Sequence, residues 1–211
     1  AGEVPAIDNG TCRTVKTNPT DHDYLECKLQ AVTSGYEVRC FIHSEDDGSA
    51  YVYASIERLV DGESDYTIRI GQHVGGGGTV YAEDTVCLPD GYVDVRLCAS
   101  PGEPPGGNLT AIFNGEYELT EEGIPDTSSA HAGFANMGAN KEAKFDDFHW
   151  EVHQQPGQFE KCPSCGTVPT TCLVCEDDFD EYPDLTEPPH PWRTSHEDVI
   201  TDAGRLLVPA A

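Results

Sequence analysis

The chain has 211 residues, with 38 acidic side chains against 12 basic ones and a formal charge of −26. So anionic a surface excludes nucleic acid as a partner, which needs a basic face, and no run approaches the roughly 18 apolar residues of a membrane span. Apolar residues are only 37% of the chain, while 21 Gly and 15 Pro point to short strands and many turns.

The surplus carboxylates can form a solvated acidic surface, hold divalent cations or keep an extracellular assembly soluble. Nine cysteines favour an oxidising compartment and a disulfide framework. Because the count is odd, one thiol is free, pairs between chains or serves a metal site. Two sequons, at Asn9 and Asn108, fit secretion and are candidate glycosylation sites. The first residue is Ala1 rather than Met, as in a processed chain or an excerpt.

Period-two alternation begins at Tyr24. Leu25, Cys27, Leu29 and Ala31 lie on one side; after a break at Thr33-Ser34-Gly35, Tyr36, Val38, Cys40 and Ile42 repeat the pattern. Folded as a hairpin, the two runs set Cys27 opposite Cys40 as a close non-hydrogen-bonded pair, either a cross-strand disulfide or two neighbouring buried thiols. Further strands are expected over residues 51–58, 66–70, 79–83, 93–98 and 109–113. Asn114-Gly115 is a hairpin turn signal, with a return through Tyr117 and Leu119. Residues 130–137 and the alternation of Phe148, Trp150 and Val152 complete the set. No segment keeps a 3.6-residue repeat, and about ten short strands at this spacing predict an all-β antiparallel sandwich.

Residues 154–177 differ in kind, being rich in Gln, Pro, Gly and Cys, and read as a stiff linker. Cys162-Pro-Ser-Cys165-Gly and Cys172-Leu-Val-Cys175 resemble paired zinc knuckles, in which a glycine lets backbone amides approach the thiolates. The six residues between them are short for a zinc ribbon, and an oxidising compartment favours disulfides instead. Residues 178–211 end in a short hairpin pattern, Asp198 to Thr201 and Arg205 to Val208 around Asp202-Ala-Gly204. An isolated hairpin is marginal in water, so another sheet must cover it.

The phrase Phe145-Asp-Asp-Phe-His-Trp150 resembles the closing strand of concanavalin-A-like, laminin-G-like jelly rolls. Asp178-Phe179, Trp192 and Asp202-Ala-Gly-Arg-Leu206 resemble the opening of the same family. The resemblance spans about residues 20–152 plus 178–208 and implies a jelly-roll sandwich whose opening hairpin is displaced to the far end. Residues 1–153 are then a sandwich lacking its first strands, and the hairpin folds back on its own sheet, starts a further repeat or inserts into the next copy. A stiff linker favours insertion, by strand addition that propagates into a filament. The expectation is a secreted structural subunit that forms a homopolymer, with Phe179, Trp192, Val199, Ile200, Leu206 and Val208 carrying assembly.

The alternative is a lectin-like secreted module, since the family includes lectins. Asp46 and Asp47 beside Tyr51 are its candidate glycan site, with calcium between the acids; a plain Asp-Asp-Gly turn also explains them. Structural zinc or calcium are the only cofactors the residues suggest. Catalysis is not expected: Glu176-Asp-Asp-Phe-Asp-Glu181 has the acids of a glycosidase strand but not their alternation, and the eight His form no HExxH.

Overall fold

A computed structural model describes residues 7–9, 22–44, 50–100, 107–124, 131–138, 141–153, 172–177, 192–193, 200–201 and 206–208. In chain order the strands are β1 (Ile7–Asn9), β2 (His22–Ala31), β3 (Glu37–Ser44), β4 (Ala50–Arg58), β5 (Asp65–Val74), β6 (Gly77–Cys87), β7 (Val93–Ser100), β8 (Gly107–Phe113), β9 (Tyr117–Ile124), β10 (His131–Asn136), β11 (Ala143–His153), β12 (Cys172–Asp177), β13 (Trp192–Arg193), β14 (Ile200–Thr201) and β15 (Leu206–Val208). They form two antiparallel sheets, ordered β13-β1-β10-β3-β4-β5-β6 and β14-β15-β11-β2-β7-β8-β9, with β12 also pairing β11. The chain is an all-β jelly-roll sandwich. Among the described residues no helix is long and apolar enough to cross a membrane.

The alternation read from the sequence is the alternation of the core. Leu25, Leu29, Val95, Leu97 and Phe113 from one sheet meet Val38, Ile42, Val52, Ile56, Ile68 and Ile70 from the other, all buried in one cluster. Each large side chain so buried stabilises the fold by roughly 1.5–3 kcal/mol. The hairpin expected at Asn114-Gly115 is present: both residues have positive φ (50° and 69°), as a type I′ turn requires, and the Glu116 amide donates to the Phe113 carbonyl at 3.0 Å.

The first expected hairpin is not formed. β2 pairs with β7 and β11 in one sheet, while β3 pairs with β4 and β10 in the other. Residues 32–36 arch from sheet to sheet, through Gly35 at φ +79°, whose amide donates to the Arg58 carbonyl at 2.9 Å. A hairpin would have put both apolar stripes on one face; the arch lets each stripe face the core from its own side. Cys27 and Cys40 therefore meet across the sandwich, and both are buried free cysteines. Burial, and then the hydrogen bond with Cys40, push the Cys27 thiol well above its ordinary pKa.

This arrangement makes a chemical prediction. Cys87 is exposed and free, so brief alkylation of the native protein should label Cys87 far faster than Cys27 or Cys40, as read by peptide mapping; equal labelling would contradict the buried pair. Alkaline pH should also destabilise the fold. The unfolded thiol ionises near pH 8.5 while the folded one keeps its proton, so the unfolded state binds fewer protons above that pH. The Cys27 contribution is complete below about pH 8.5 and is lost as pH rises toward the raised folded value. Cys27→Ala should flatten this part of a stability–pH profile.

At the C-terminal end, Leu206–Val208 lies antiparallel to Ala143–Phe145 of the same chain, and Ile200–Thr201 pairs with Leu206–Leu207. The pairing expected with a second copy occurs here within one chain. Trp192–Arg193 pairs with β1 in the other sheet. Cys172–Asp177, expected within a linker, is a strand on the far half of β11, with Cys172 opposite His153 and Cys175 opposite Trp150. A CxxC zinc knuckle is a turn, so this half of the expected motif has the wrong backbone for one. Cys162, Cys165, Phe179, Val199, Asp46 and Asp47 lie outside the described residues.

Candidate functional site

The site begins with a spacing problem. Phe145 and Phe148 are three residues apart, so a regular strand would send them to opposite faces. Both are buried in the core, with Trp150. The register between β11 and β2 shifts between Asp146 and His149, and Asp147 takes φ +49°. This is a β-bulge, which adds a residue to one strand and re-aims the side chains beyond it. Phe134 then stacks on Phe145 at 4.4 Å between centroids and meets Phe148 edge-on at 5.3 Å.

The same bulge builds an open groove of about 460 Å³ on the outer face of the eight-stranded sheet. β2 runs through its middle. Register sets His149, Glu26 and Arg96 in one row across β11, β2 and β7, and Asp146, Lys28 and Asp94 in the next. Arg96 Nε donates to Glu26 Oε1 at 2.6 Å, and Lys28 pairs with the bulge carboxylate of Asp147. That hydrogen bond to Asp147 is the main reason the Lys28 ammonium is held above its ordinary pKa. The Tyr24 ring meets His149 edge-on at 6.5 Å. One end is closed by the β8–β9 turn, where Asn114 exchanges two 2.8 Å hydrogen bonds with the backbone of Asp94. The groove side chains are partly exposed, charged and held in place by one another.

A second polar cluster occupies the outer face of the seven-stranded sheet. Here Arg39, Phe41, Tyr51, Tyr53, Ser55 and His73 are buried, although the core lies on the opposite side of their strands. Arg39 Nη1 donates to the Tyr51 hydroxyl at 3.0 Å, and its guanidinium lies 4.0 Å over the Tyr53 ring. Tyr51 stacks on His73 at 4.8 Å. Tyr51, expected to flank a glycan, is thus a buried support for Arg39.

A third feature joins the sheets. His43 Nε2 on β3 pairs with Asp23 on β2, both buried, and His43 holds φ +58°.

Of the other expected site residues, Asn108 is exposed on β8, while Asn9 lies in β1 opposite Trp192. Cys98 is disulfide-bonded. No group of three or more His, Cys, Asp or Glu among the described residues is placed to hold a metal ion. Sequence reasoning took the groove residues for the solvent side of their strands; the one local signal was the Phe-Asp-Asp-Phe spacing.

No protein-family model and no curated protein matches this chain. Among solved structures it is similar to the carbohydrate-binding module CBM66 from Bacillus subtilis, at 10% identity and TM-score 0.42 over 68% of this chain and 90% of that one. It is also similar to the Caenorhabditis elegans galectin LEC-6, at 11% and 0.37 over 65% and 82%. The Scytalido-glutamic peptidase aligns over 100% of this chain and 98% of its own at 10% and 0.44. Values this low decide nothing about function, and the fold rests on the strand pairing itself.

Proposed function

We propose that this chain is a secreted glycan-binding module whose ligand lies in the groove over β11, β2 and β7. The observation that carries this is the in-register double row of hydrogen-bonding side chains on an open sheet face. Paired Glu26–Arg96 and Lys28–Asp147 leave donors and acceptors in fixed positions, and charge-assisted bonds of this kind are the strong ones for sugar hydroxyls. Binding suits the site better than catalysis, because Glu26 and Asp147 are each tied to a cation. Four acids (Glu26, Asp94, Asp146, Asp147) against Lys28 and Arg96 favour neutral over anionic sugars. Secretion is supported by the nine cysteines and the bonded Cys98. The filament reading loses its main argument, since β15 pairs within its own chain.

A glycan array in the presence of calcium and of a chelator tests this. Neutral-glycan hits should survive chelation, and Arg96→Ala or His149→Ala should weaken them by about tenfold or more, the usual worth of a charge-assisted bond. An array without hits, or hits indifferent to both substitutions, would overturn the proposal.

A further inference from the structure

The groove over β2 holds one charge that its own ion pairs leave over. Glu26 is taken by Arg96 at 2.6 Å, and Lys28 by Asp147. Asp94 lines the same groove from β7. Register sets it opposite Lys28, yet the Lys28 ammonium donates to the bulge carboxylate instead. The Asp94 carboxylate takes part in no hydrogen bond or ion pair among the described residues. Its backbone, by contrast, is clamped at both polar atoms. The Asp94 amide donates to Asn114 Oδ1 and its carbonyl accepts from the Asn114 amide, each at 2.8 Å. The carboxylate is therefore exposed, carried on a fixed backbone, and open at every acceptor position. Asn114 spends its side-chain oxygen on this clamp, which leaves its Nδ2 protons to donate beside Asp94. An acid on a convex face would simply be solvated. Asp94 differs in standing inside a groove of about 460 Å³ among ion-paired neighbours.

This leftover charge narrows the ligand. The two cations cancel Glu26 and Asp147, so what a ligand meets at Asp94 is an uncompensated carboxylate. A sugar hydroxyl placed there donates an ordinary hydrogen bond to it. An ammonium donates a bond in which both partners are charged, and such bonds are the stronger kind. The chain as a whole, at −26, adds a field that draws cations toward the groove. We propose that the groove selects an amino sugar, whose ammonium binds Asp94 while the hydroxyl on the adjoining carbon accepts from Asn114 Nδ2. This rests on the groove being the glycan site, and adds which sugar it prefers and which residue sets the preference. Acetylation of the amine removes the charge, so the N-acetylated form of the same sugar is the weaker ligand. The gain is modest because Asp94 is exposed, and an exposed ion pair is worth about threefold to fivefold in affinity.

The test is isothermal titration of the full chain with a glucosamine tetramer, an N-acetylglucosamine tetramer and tetralysine. It is run in mildly acidic buffer, where the sugar amine is protonated. The glucosamine tetramer should bind about threefold to fivefold more tightly than its acetylated form. That preference should vanish in Asp94→Asn, which keeps the shape without the charge, and should shrink at high salt. Glu63→Gln, an equal charge change at an exposed position of the β4–β5 turn, should leave it in place. Equal affinity for the two tetramers, or a preference that survives Asp94→Asn, overturns the amine assignment and leaves the groove reading standing. So does a glucosamine tetramer that fails to bind while neutral glycans still do. Tetralysine bound as tightly, with the same dependence on Asp94, would assign the charge to cationic peptides and overturn the sugar. Loss of every glycan hit is instead the failure of the groove reading, and this inference falls with it.

Discussion

Deleting Asp146 and Asp147 together should abolish the cooperative fold, while Asp147→Gly should preserve it. The bulge residue lets Phe145, Phe148 and Trp150 face the same core. Removing both acids makes Phe148 follow Phe145 directly, so a strand of period two would carry Phe148 and Trp150 to the solvent side or force β11 to slip against β2. Removing Asp147 alone would leave the three aromatics two apart on one face. Losing one large aromatic from a core costs about 3–5 kcal/mol, and two such losses rival the roughly 5–15 kcal/mol that a whole domain commands. The glycine variant keeps the count and accepts φ +49° without Cβ strain; it loses only the carboxylate that meets Lys28. Urea unfolding followed by tryptophan fluorescence separates the outcomes. The deletion should show no native baseline and Asp147→Gly a transition near the parent's. A deletion that unfolds like the parent would contradict the bulge assignment.

The second large effect belongs to the pair between the sheets. His43→Ala should destabilise the protein by about 3–5 kcal/mol, the cost of leaving the buried Asp23 carboxylate uncompensated. Asp23→Ala should cost less, because an imidazole without its partner can stand neutral. Replacing both should cost less than the sum of the single changes, because neither charge is then stranded. His43→Asn adds a control. Asparagine tolerates positive φ nearly as well as any non-glycine residue, so it keeps the backbone conformation while removing the imidazole. If His43→Asn matches the parent in urea, the backbone at this corner carries the stability and the ion pair does not.

The fold was legible wherever a single strand sufficed to define it. Val93, Val95 and Leu97 alternate with Asp94 and Arg96, and the first three are buried; Asn114-Gly115 turns as its chemistry demands. What local pattern cannot carry is which sheet a strand joins. Leu25, Cys27 and Leu29 have the same apolar stripe as Val38, Cys40 and Ile42, and a stripe facing a sandwich core looks alike from either side. The hairpin drawn through Thr33-Ser34 therefore failed, and the Cys27–Cys40 contact survived for a different reason. The groove was hidden for a related cause. Glu26, Arg96 and His149 come from three strands far apart in the chain, and only long-range register puts them in one row. Arg39 and Ser55 occupy positions that alternation assigns to solvent, yet both are buried.

A crystal structure of the full chain bound to the strongest neutral glycan from the array tests the central claim most directly. The account predicts a sugar ring over β2, with hydroxyls within hydrogen-bond distance of Arg96 and His149 and the Lys28–Asp147 pair still formed. A glycan held anywhere else on the protein, with the groove empty, would contradict it.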